Sequence, residues 1–421
     1  MLYSQAIHFF EVYYLSRILI RAGKLFDGYS LKENIELSVE DGIVYYGRRQ
    51  GSYDRRIEAS TVLPGLIDTH VHLVHDTRPG LFSVSARNVI NLFLAHGVIS
   101  VRDTGNYLSI RDLFNSFNQD FEVILTYTVE KPPLSWMFMR MINNINDLDL
   151  AVERAYVEGC KWFKLYNNVT PDIAREAVVK AHGKGLKITC HVTGIGMYNV
   201  INYGFDAVEH FVSLPFVEPI SSDHNGSSDR VLEKWESIDE GVLEDIAKKM
   251  SEKRVAITTT LALIRSMIGK LRIDRRKYSK YIMPWYRFFK FKKKKEYDKV
   301  YSKILKAIRI LWENKVIILG GTDLPNSALN PGISLWEELD ILIEAGLTIW
   351  DALKTVTGYA HEAIGSGYGV IRESGKANLL IINGDIKSVD DLVIDEVIIG
   401  NNSYKPNDLL NQLKKIPWFG F

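Results

Sequence analysis

The amino-acid sequence predicts an α/β protein, a (β/α)8 TIM barrel with a small β-sandwich domain formed by the N- and C-terminal segments. In the middle of the chain, short apolar runs alternate with longer segments of helical periodicity, and turn-punctuated β-type runs occupy both ends. Repeated strand-then-helix units form a parallel sheet, and eight of them suggest closure into a barrel. An open doubly wound sheet is the alternative, but Leu63-Pro64-Gly65 is not the glycine-rich phosphate turn expected after its first strand.

Each of the eight apolar runs is short enough to be one barrel strand. Most of them follow a helical segment that ends in glycine or a small polar turn, such as Ala95-His96-Gly97. The runs cover residues 62–70, 98–103, 121–126, 162–166, 187–191, 206–210, 255–260 and 316–323. Their order along the chain predicts eight parallel strands that alternate with helices.

The two ends of the chain read as β structure. Near the N-terminus the runs 15–22, 34–40 and 42–47 are separated by turn signals such as Asp27-Gly28, and near the C-terminus Asn383-Gly384 separates the runs 378–382 and 393–399. We therefore expect residues 1–60 and 366–421 to form the two parts of one β-sandwich domain, and residues 61–365 to form the barrel.

Composition excludes several classes of protein. A net charge of +1 over 421 residues gives no global reason to expect a nucleic acid or an anionic membrane as partner. Cys160 and Cys190 are too few for a disulfide framework and fit a reducing cytoplasm, where we expect this protein. Residues 1–15 are apolar but carry Glu11 and no basic n-region, so we expect a docked strand or helix rather than a signal peptide, and no membrane span.

Residues 265–303 form a basic and aromatic insertion between the seventh and eighth runs. We interpret it as a solvated helical segment whose aromatic side chains face the body, because charge runs are usually solvated faces. A lid over the barrel mouth, a contact to an acidic partner and a membrane-surface patch are the alternatives. Its residues include Trp285, Tyr286, Phe288, Phe289, Lys290, Lys292, Lys293, Lys294 and Lys295.

Six side chains lie at the C-terminal ends of apolar runs, where barrel enzymes place their reacting groups. A single histidine at the end of a strand is more often a structural residue than a metal ligand. A single lysine there is usually a surface residue, and a single aspartate is often a helix N-cap. Together they form a pattern that chance does not explain, and imidazole and carboxylate groups suit zinc, manganese or iron. The six are His70, His72, Lys164, His191, His210 and Asp323.

Several segments in the same order resemble motifs of the amidohydrolase superfamily, in particular its prolidase-like and imidazolonepropionase-related members. Residues 62–73, VLPGLIDTHVHL, resemble the opening metal motif, and residues 97–105, GVISVRDTG, resemble the second-strand motif. Further similarities are GCKWFKLY at 159–166, His191 with Gly194, GFDAVEH at 204–210 and Gly321-Thr322-Asp323. The resemblance runs from about residue 18 to about residue 399.

The resemblance implies a site for two divalent metal ions, with zinc the favoured metal. It implies that His70, His72 and Asp323 hold the more buried ion and that His191 and His210 hold the second.

The resemblance also implies that carbon dioxide carboxylates Lys164, and that the resulting carbamate bridges the two ions. An amine becomes an anion with two oxygens, which can span two cations and offset their repulsion. Lys161 is a rival for the bridge, but Lys164 has the motif position. Arg102 and Asp103 are interpreted either as groups that orient the metal ligands or as an ordinary strand-end salt bridge.

The mechanism that the resemblance implies is attack of a metal-bridging hydroxide on a carbonyl carbon. Asp323 would accept the proton and pass it to the leaving nitrogen. The hydroxyl group of Tyr166 is a candidate for stabilising the oxyanion, although a packing role is an equal alternative. His75 and Thr193 are weaker candidates for lining the substrate pocket.

We expect a hydrolase that acts on a small molecule with a carbon–nitrogen bond, either a prolidase-like dipeptidase or an N-acyl amino acid hydrolase. We also expect the protein to form a homo-oligomer. Three alternatives remain open: a mononuclear cyclic amide hydrolase or deaminase with unmodified Lys164, a lactonase or organophosphate hydrolase, and a non-catalytic scaffold of the same fold.

Overall fold

The structure, a computed structural model, describes residues 17–73, 82–106, 110–135, 139–220, 228–274, 277–282, 296–326 and 329–416. The apolar N-terminus and the lysine-rich centre of the 265–303 segment lie outside these ranges, so the interpretations of both stay predictions. Within the described ranges, no helix combines the length and the apolar character needed to cross a membrane. Cys160 and Cys190 are both buried free thiols.

Two sheets contain the strands of the described residues. The first sheet has eight strands in the order β14-β3-β2-β1-β4-β15-β16-β17, and the second has the order β13-β12-β11-β10-β9-β7-β6-β5, with β8 paired to β7. The strands are β1 Arg17–Phe26, β2 Leu31–Glu40, β3 Ile43–Tyr46, β4 Arg55–Pro64, β5 Leu66–Val71, β6 Val98–Asp103, β7 Glu122–Glu130, β8 Arg140–Met141, β9 Trp162–Leu165, β10 Lys187–Cys190, β11 Ala207–Glu209, β12 Ala256–Thr258, β13 Ile318–Leu319, β14 Gly375–Lys376, β15 Asn378–Ile382, β16 Ile394–Ile399 and β17 Asn402–Tyr404.

Helices follow most strands of the second sheet, as the repeated strand-then-helix pattern predicts. They are α1 Phe82–Ala95, α2 Ile110–Phe117, α3 Ile145–Val157, α4 Pro171–Gly183, α5 Met197–Tyr203, α6 Ser228–Ser237, α7 Glu240–Lys253, α8 Leu261–Ile268, α9 Ser279–Ile282, α10 Glu296–Glu313, α11 Ile333–Glu344, α12 Ile349–Thr355, α13 Gly358–Ile364 and α14 Pro406–Asn411. Helices α8 to α10 contain most of the described residues of the basic insertion, and the rest, residues 269–274 and 277–278, lie between α8 and α9.

The second sheet is a nearly closed barrel of eight parallel strands. A parallel bridge between Val71 and Leu324 joins the first strand to the segment that follows the last strand. The amide of Thr69 donates to the carbonyl of Gly320 across the same gap at 3.1 Å, and the amide of His72 donates to the carbonyl of Leu324 at 2.9 Å. The predicted fold class, a TIM barrel with a separate β domain, is therefore confirmed.

The N- and C-terminal segments meet in the first sheet, where β4 pairs in parallel with β1 and antiparallel with β15. The run 62–70, expected as one barrel strand, divides between the two sheets. Residues up to Pro64 pair with β15, whereas β5 begins at Leu66 and pairs with β6. Gly65 allows the change because a Cβ atom there would lie 2.1 Å from the side chain of Ile99.

The interior of the barrel has two layers of different chemistry. The lower layer, towards the N-terminal ends of the strands, consists of apolar side chains that pack against α13. In this layer the indole of Trp162 donates to the carbonyl of Ile364 at 3.3 Å. Members of this layer on four strands are Ile124, Trp162, Ala207 and Ala256. Since side chains two apart on a strand share a face, the residues above them lie inside the barrel as well. They are Thr126, Lys164, Glu209 and Thr258.

Candidate metal centre

All six predicted ligand residues lie at the C-terminal end of the barrel. His70 and Lys164 are in β5 and β9, His191 and His210 directly follow β10 and β11, and the other two, His72 and Asp323, follow β5 and β13. The segment that follows β13 passes close to His70. A Cβ atom on Gly321, in this segment, would lie only 2.8 Å from the backbone nitrogen of His70. Glycine at this position therefore allows Asp323 to lie beside the histidines.

The carboxylate of Asp323 lies close to the rings of both His70 and His72. Its Oδ1 atom is 3.4 Å from Nε2 of His70 and 3.3 Å from Nε2 of His72. Zinc–nitrogen bonds of about 2.0–2.1 Å in a tetrahedral site place neighbouring ligand atoms about 3.3–3.4 Å apart. The observed separations therefore match the spacing of atoms that share one ion.

His210 connects this group to His191. The ring centroids of His70 and His210 are 4.6 Å apart, and those of His191 and His210 are 4.7 Å apart. The two Nε2 atoms of His191 and His210 approach to 3.0 Å. Ligand atoms of His70, His210 and Asp323 all lie within 4.8 Å of one another, so they form a compact group that can hold a metal ion.

Three of the imidazole rings are oriented by acceptors on their far side. Nδ1 of His72 lies 2.8 Å from the carbonyl oxygen of Gly105, and Nδ1 of His191 lies 2.7 Å from Oδ1 of Asn167. Nδ1 of His70 lies 2.6 Å from a carboxylate oxygen of Glu209. An acceptor at Nδ1 places the ring proton there and leaves the Nε2 lone pair for a metal ion.

Lys164 contributes a buried amine. Its side chain is fully buried, and its Nζ atom makes no hydrogen bond to any described residue. Burial lowers the pKa of Lys164 to about 8, although the negative charges of Glu209 and Asp323 oppose the shift. Lys161, the rival for the bridging role, is exposed and donates to the carbonyl of Gly365 at 2.6 Å, on the far side of the apolar layer.

The backbone is strained at two of the candidate ligands. His210 has a φ of 66° and Asp323 has a φ of 58°, both in the left-handed region that residues with a Cβ atom seldom adopt. Such conformations cost about 1–3 kcal/mol each and cluster at functional sites. The strain indicates that these two positions serve the orientation of the His210 and Asp323 side chains rather than the stability of the fold.

The titration of the candidate ligands favours metal binding near neutral pH. Burial lowers the pKa of His210 to about 3 and holds that of His191 well below its ordinary value, so both imidazoles are neutral ligands. Burial alone would raise the pKa of Asp323, but its contacts with His70 and His72 outweigh that effect and hold the pKa well below the usual range. Asp323 is therefore an anion.

Of the three residues predicted to line the substrate pocket, Tyr166 and Thr193 lie within the described residues and His75 does not. The ring of Tyr166 packs 4.0 Å, centroid to centroid, from the ring of His191 and lies 5.3 Å from Nζ of Lys164, so Tyr166 borders the candidate centre. Thr193 is buried, and its hydroxyl makes no hydrogen bond to a described residue. His75 lies outside the described residues, so its role stays a prediction.

Arg102 and Asp103 do not form a salt bridge with each other among the contacts of the described chain. Asp103 accepts from the backbone amides of Leu73, the neighbour of His72, and of Gly105, whose carbonyl contacts the His72 ring. Arg102 instead pairs with Glu209, at 2.7 Å.

Sequence reasoning missed Glu209. Burial would raise its pKa, but the charges of Arg102 and His70 outweigh burial and keep the carboxyl group ionised. The signal was available, since a lone carboxylate ends the otherwise apolar stretch Ala207-Val208-Glu209 directly before His210.

The donor set fits metal ions. Three buried atoms that face this space, Nε2 of His70, Nζ of Lys164 and Oδ1 of Asp323, have no hydrogen-bond partner among the described residues. Buried polar atoms are almost always paired, so a cluster of unpaired ones with ligand chemistry favours a bound cation. Imidazole nitrogen and carboxylate oxygen are ligands that zinc accepts.

Comparison with protein families decides the classification. The model of the amidohydrolase family matches residues 61–404, which is most of the chain. The chain belongs to the amidohydrolase family. The family match includes all six candidate ligands and the barrel that holds them. No curated protein matches the sequence.

Solved structures share the fold at low sequence identity. A Xaa-Pro dipeptidase with bound methionine superimposes with a TM-score of 0.68 at 19% identity, covering 93% of this chain and 100% of the dipeptidase. An ochratoxinase from A. niger gives a TM-score of 0.69 at 18% identity, with 93% and 96% coverage. Bottromycin amidohydrolase gives 0.68 at 19% identity, with 93% and 87% coverage. At these identities the likeness establishes the fold of this amidohydrolase and not its substrate.

Proposed function

We propose that this amidohydrolase hydrolyses a carbon–nitrogen bond of a small substrate at a centre of two divalent metal ions. One observation carries the proposal: four imidazoles, a carboxylate and a buried amine without a hydrogen-bond partner converge at the C-terminal end of the barrel. In the proposal, His70, His72 and Asp323 bind one ion, His191 and His210 bind the second, and zinc is the preferred metal.

Two bound divalent ions would lower the pKa of a water molecule and polarise a carbonyl group. Asp323 is placed to take the proton of the attacking water, because its ionised carboxylate lies beside the candidate ligands His70 and His72. The water oxygen bonds to the carbonyl carbon, the carbon–nitrogen bond breaks, and Asp323 returns the proton to the leaving nitrogen. Asn326 donates to Oδ2 of Asp323 at 2.8 Å and thereby fixes which oxygen faces the site.

Lys164 is the proposed site of carboxylation by carbon dioxide. Its amine is buried, lacks a hydrogen-bond partner within the described chain, and lies beside Tyr166 at the candidate centre. An uncharged amine is the form that attacks carbon dioxide: its nitrogen bonds to the carbon, one carbon–oxygen π bond opens, and a proton leaves the nitrogen for solvent. The product is an anion with two oxygens. Such a group would supply the negative charge that two cations require from their ligands.

The proposed substrate class is a dipeptide or an N-acyl amino acid. It rests on the motif resemblance and on the fold shared with a Xaa-Pro dipeptidase. Lactones and organophosphates are alternative substrates for the same ligand set. Because the loops that follow barrel strands determine specificity, substrate identity requires experiment.

An activity screen of the zinc-loaded protein tests the proposal. The panel contains dipeptides, N-acyl amino acids, cyclic imides, lactones and organophosphates, with Asp323→Asn as the matched control. We expect turnover of at least one amide substrate by the wild type and none by the variant. Absence of turnover across the panel in a protein that binds zinc would favour the scaffold alternative.

A mononuclear site is the second candidate. His70, His210 and Asp323 alone form a compact group whose ligand atoms lie within 4.8 Å of one another, which is sufficient for a single ion. This alternative predicts one metal per chain and an unmodified Lys164, as expected for a cyclic amide hydrolase or a deaminase. Metal analysis combined with intact-protein mass measurement distinguishes the two candidates.

A further inference from the structure

Glu209 is a fully buried carboxylate with no proposed ligand role. Its Oε2 atom lies 2.6 Å from Nδ1 of His70. Its Oε1 atom accepts from Nη2 of Arg102 at 2.7 Å and from the hydroxyl of Thr189 at 2.8 Å. Both oxygens are therefore engaged, and the carboxylate has one defined orientation behind the ring of His70.

Arg102 anchors this carboxylate from across the barrel. Its guanidinium is fully buried, donates from Nε to the carbonyl of Thr69 at 2.7 Å, and packs over the ring of Trp162 at 4.5 Å. Nη2 also lies 3.2 Å from the hydroxyl of Thr258. The Arg102–Glu209 pair thus connects β5, β6, β11 and β12 directly beneath the candidate centre.

The contact with Glu209 determines which nitrogen of His70 carries the proton. An ionised carboxylate only accepts hydrogen bonds, so Nδ1 of His70 must donate to it. The Nε2 lone pair is then directed towards Oδ1 of Asp323, 3.4 Å away, where the candidate ion lies. Rotation of the ring or a change of tautomer would break the 2.6 Å contact.

His70 differs in this respect from the other candidate ligands. His72 and His191 have uncharged oxygens at Nδ1, the carbonyl of Gly105 and the side-chain amide of Asn167. The Nδ1 atom of His210 lies 3.0 Å from the hydroxyl of Thr260. A carboxylate partner makes a ligating imidazole more basic than a neutral partner does, so His70 is expected to be the strongest imidazole donor of the set.

We propose that Glu209, anchored by Arg102, is a positioning residue that fixes the Nδ1–H tautomer of His70 and strengthens metal binding at this centre. The inference rests on the proposed function, because it takes His70 to be a metal ligand. Outer carboxylates of this kind typically change metal affinity by about 10- to 100-fold.

The first experiment measures the zinc dissociation constant of metal-free protein for the wild type, Glu209→Gln and Glu396→Gln. Glu396 is the matched control, since it is a buried carboxylate paired with Arg55 in the β domain. We expect about 10- to 100-fold weaker zinc binding in Glu209→Gln and no change in Glu396→Gln. Wild-type affinity in folded Glu209→Gln, or equal weakening in both variants, would overturn the inference.

A second variant covers the case in which Glu209→Gln does not fold. The double variant Arg102→Met/Glu209→Met removes both charges together, and such replacements of buried ion pairs by apolar residues often preserve stability. It is expected to fold and to show the same loss of zinc affinity. Wild-type zinc binding by the double variant would contradict the proposal.

A tautomer measurement separates this inference from the proposed function. Nitrogen NMR of histidine-labelled, metal-free protein, with the His70 signal assigned by its loss in His70→Asn, should show the Nδ1–H form in the wild type and a tautomer mixture in Glu209→Gln. An Nε2–H form in the wild type would overturn the inference even if zinc binds. If the wild type binds no zinc but shows the expected tautomers, the metal centre fails while the positioning of His70 by Glu209 stands.

Discussion

The lower and upper halves of the barrel interior are built on the same strands but differ in chemistry. Trp162 and Ala207 belong to an apolar layer packed against α13. Lys164 and Glu209, two residues further along their strands, lie in a buried polar layer that includes the candidate ligand Lys164. Side-chain atoms of the lower layer are apolar or hydrogen-bonded, whereas the upper end contains ligand atoms, including Nε2 of His70, that have no hydrogen-bond partner among the residues the structure describes. Neighbouring inward-facing positions of one strand can therefore serve stability at one end of the barrel and chemistry at the other.

Lysines 161 and 164 show the same contrast at the scale of one strand. Lys161 precedes β9, is exposed, and donates to a backbone carbonyl beside α13. Lys164 is fully buried, and its Nζ has no hydrogen-bond partner in the described chain. Three positions along the sequence therefore separate an exposed, hydrogen-bonded cation from a buried amine that has no hydrogen-bond partner among the described residues.

The largest expected effect is on turnover, at the upper end. Asp323→Asn removes the proposed proton acceptor and should lower turnover of the best substrate by about 10²–10⁴-fold, the usual contribution of general acid–base catalysis. Steady-state kinetics measure the loss, and circular dichroism checks that the fold is kept. Wild-type rates in the variant would contradict the assignment of Asp323.

The next effect is on stability, at the lower end. Ile124 is buried in the apolar layer, and Ile124→Ala should lower the free energy of unfolding by about 2–5 kcal/mol through lost burial and a residual cavity. Denaturant unfolding measures this change. Zinc stoichiometry should remain that of the wild type, and a loss of zinc by the folded variant would break the proposed division between the two layers.

Substitution of Lys164 and of Lys161 should have different effects on metal binding. Lys164→Ala should weaken metal binding and activity, with partial recovery on addition of short carboxylic acids that replace the carbamate oxygens. Lys161→Ala is the matched control and should bind metal as the wild type does, because its amine lies at the other end of the barrel. Unchanged metal content and activity in Lys164→Ala would remove Lys164 from the centre.

The last expected effect is a pH dependence of metal binding. Burial would lower the pKa of His72, but Asp323 outweighs it and raises the pKa above its ordinary value. As the pH falls through this raised pKa, His72 gains a proton that a metal ion must displace, so affinity should fall by about tenfold per pH unit. Zinc titrations between about pH 8 and pH 5 measure the slope. The slope should disappear in His72→Asn, and a pH-independent wild-type affinity would contradict the expectation.

The barrel could be predicted from the sequence because turn residues and changes of hydrophobic pattern mark where each strand ends. The predicted run 98–103 coincides with β6, and the predicted run 378–382 coincides with β15. His70 and Asp323 were identified by their positions at run ends, and the structure brings both together. The alternation of apolar runs with helical segments is a local property of the amino-acid sequence. It can therefore be recognised without knowledge of the tertiary contacts.

What the sequence did not reveal depends on contacts between distant strands. Glu209 and Arg102 are separated by 107 positions, and neither has a local pattern that points to the other. The division at Gly65 between two sheets depends on β15, more than 300 residues later in the chain. Pairings across a barrel are set by tertiary packing, which propensity and periodicity do not encode.

The most direct test of this account is the metal stoichiometry of the purified protein. Chelator-treated chain is reloaded with zinc, freed of excess metal, and analysed for zinc per chain alongside the variant His70→Asn/Asp323→Asn. We expect close to two zinc ions per wild-type chain and clearly fewer in the variant. A folded wild-type chain that retains no zinc would contradict it.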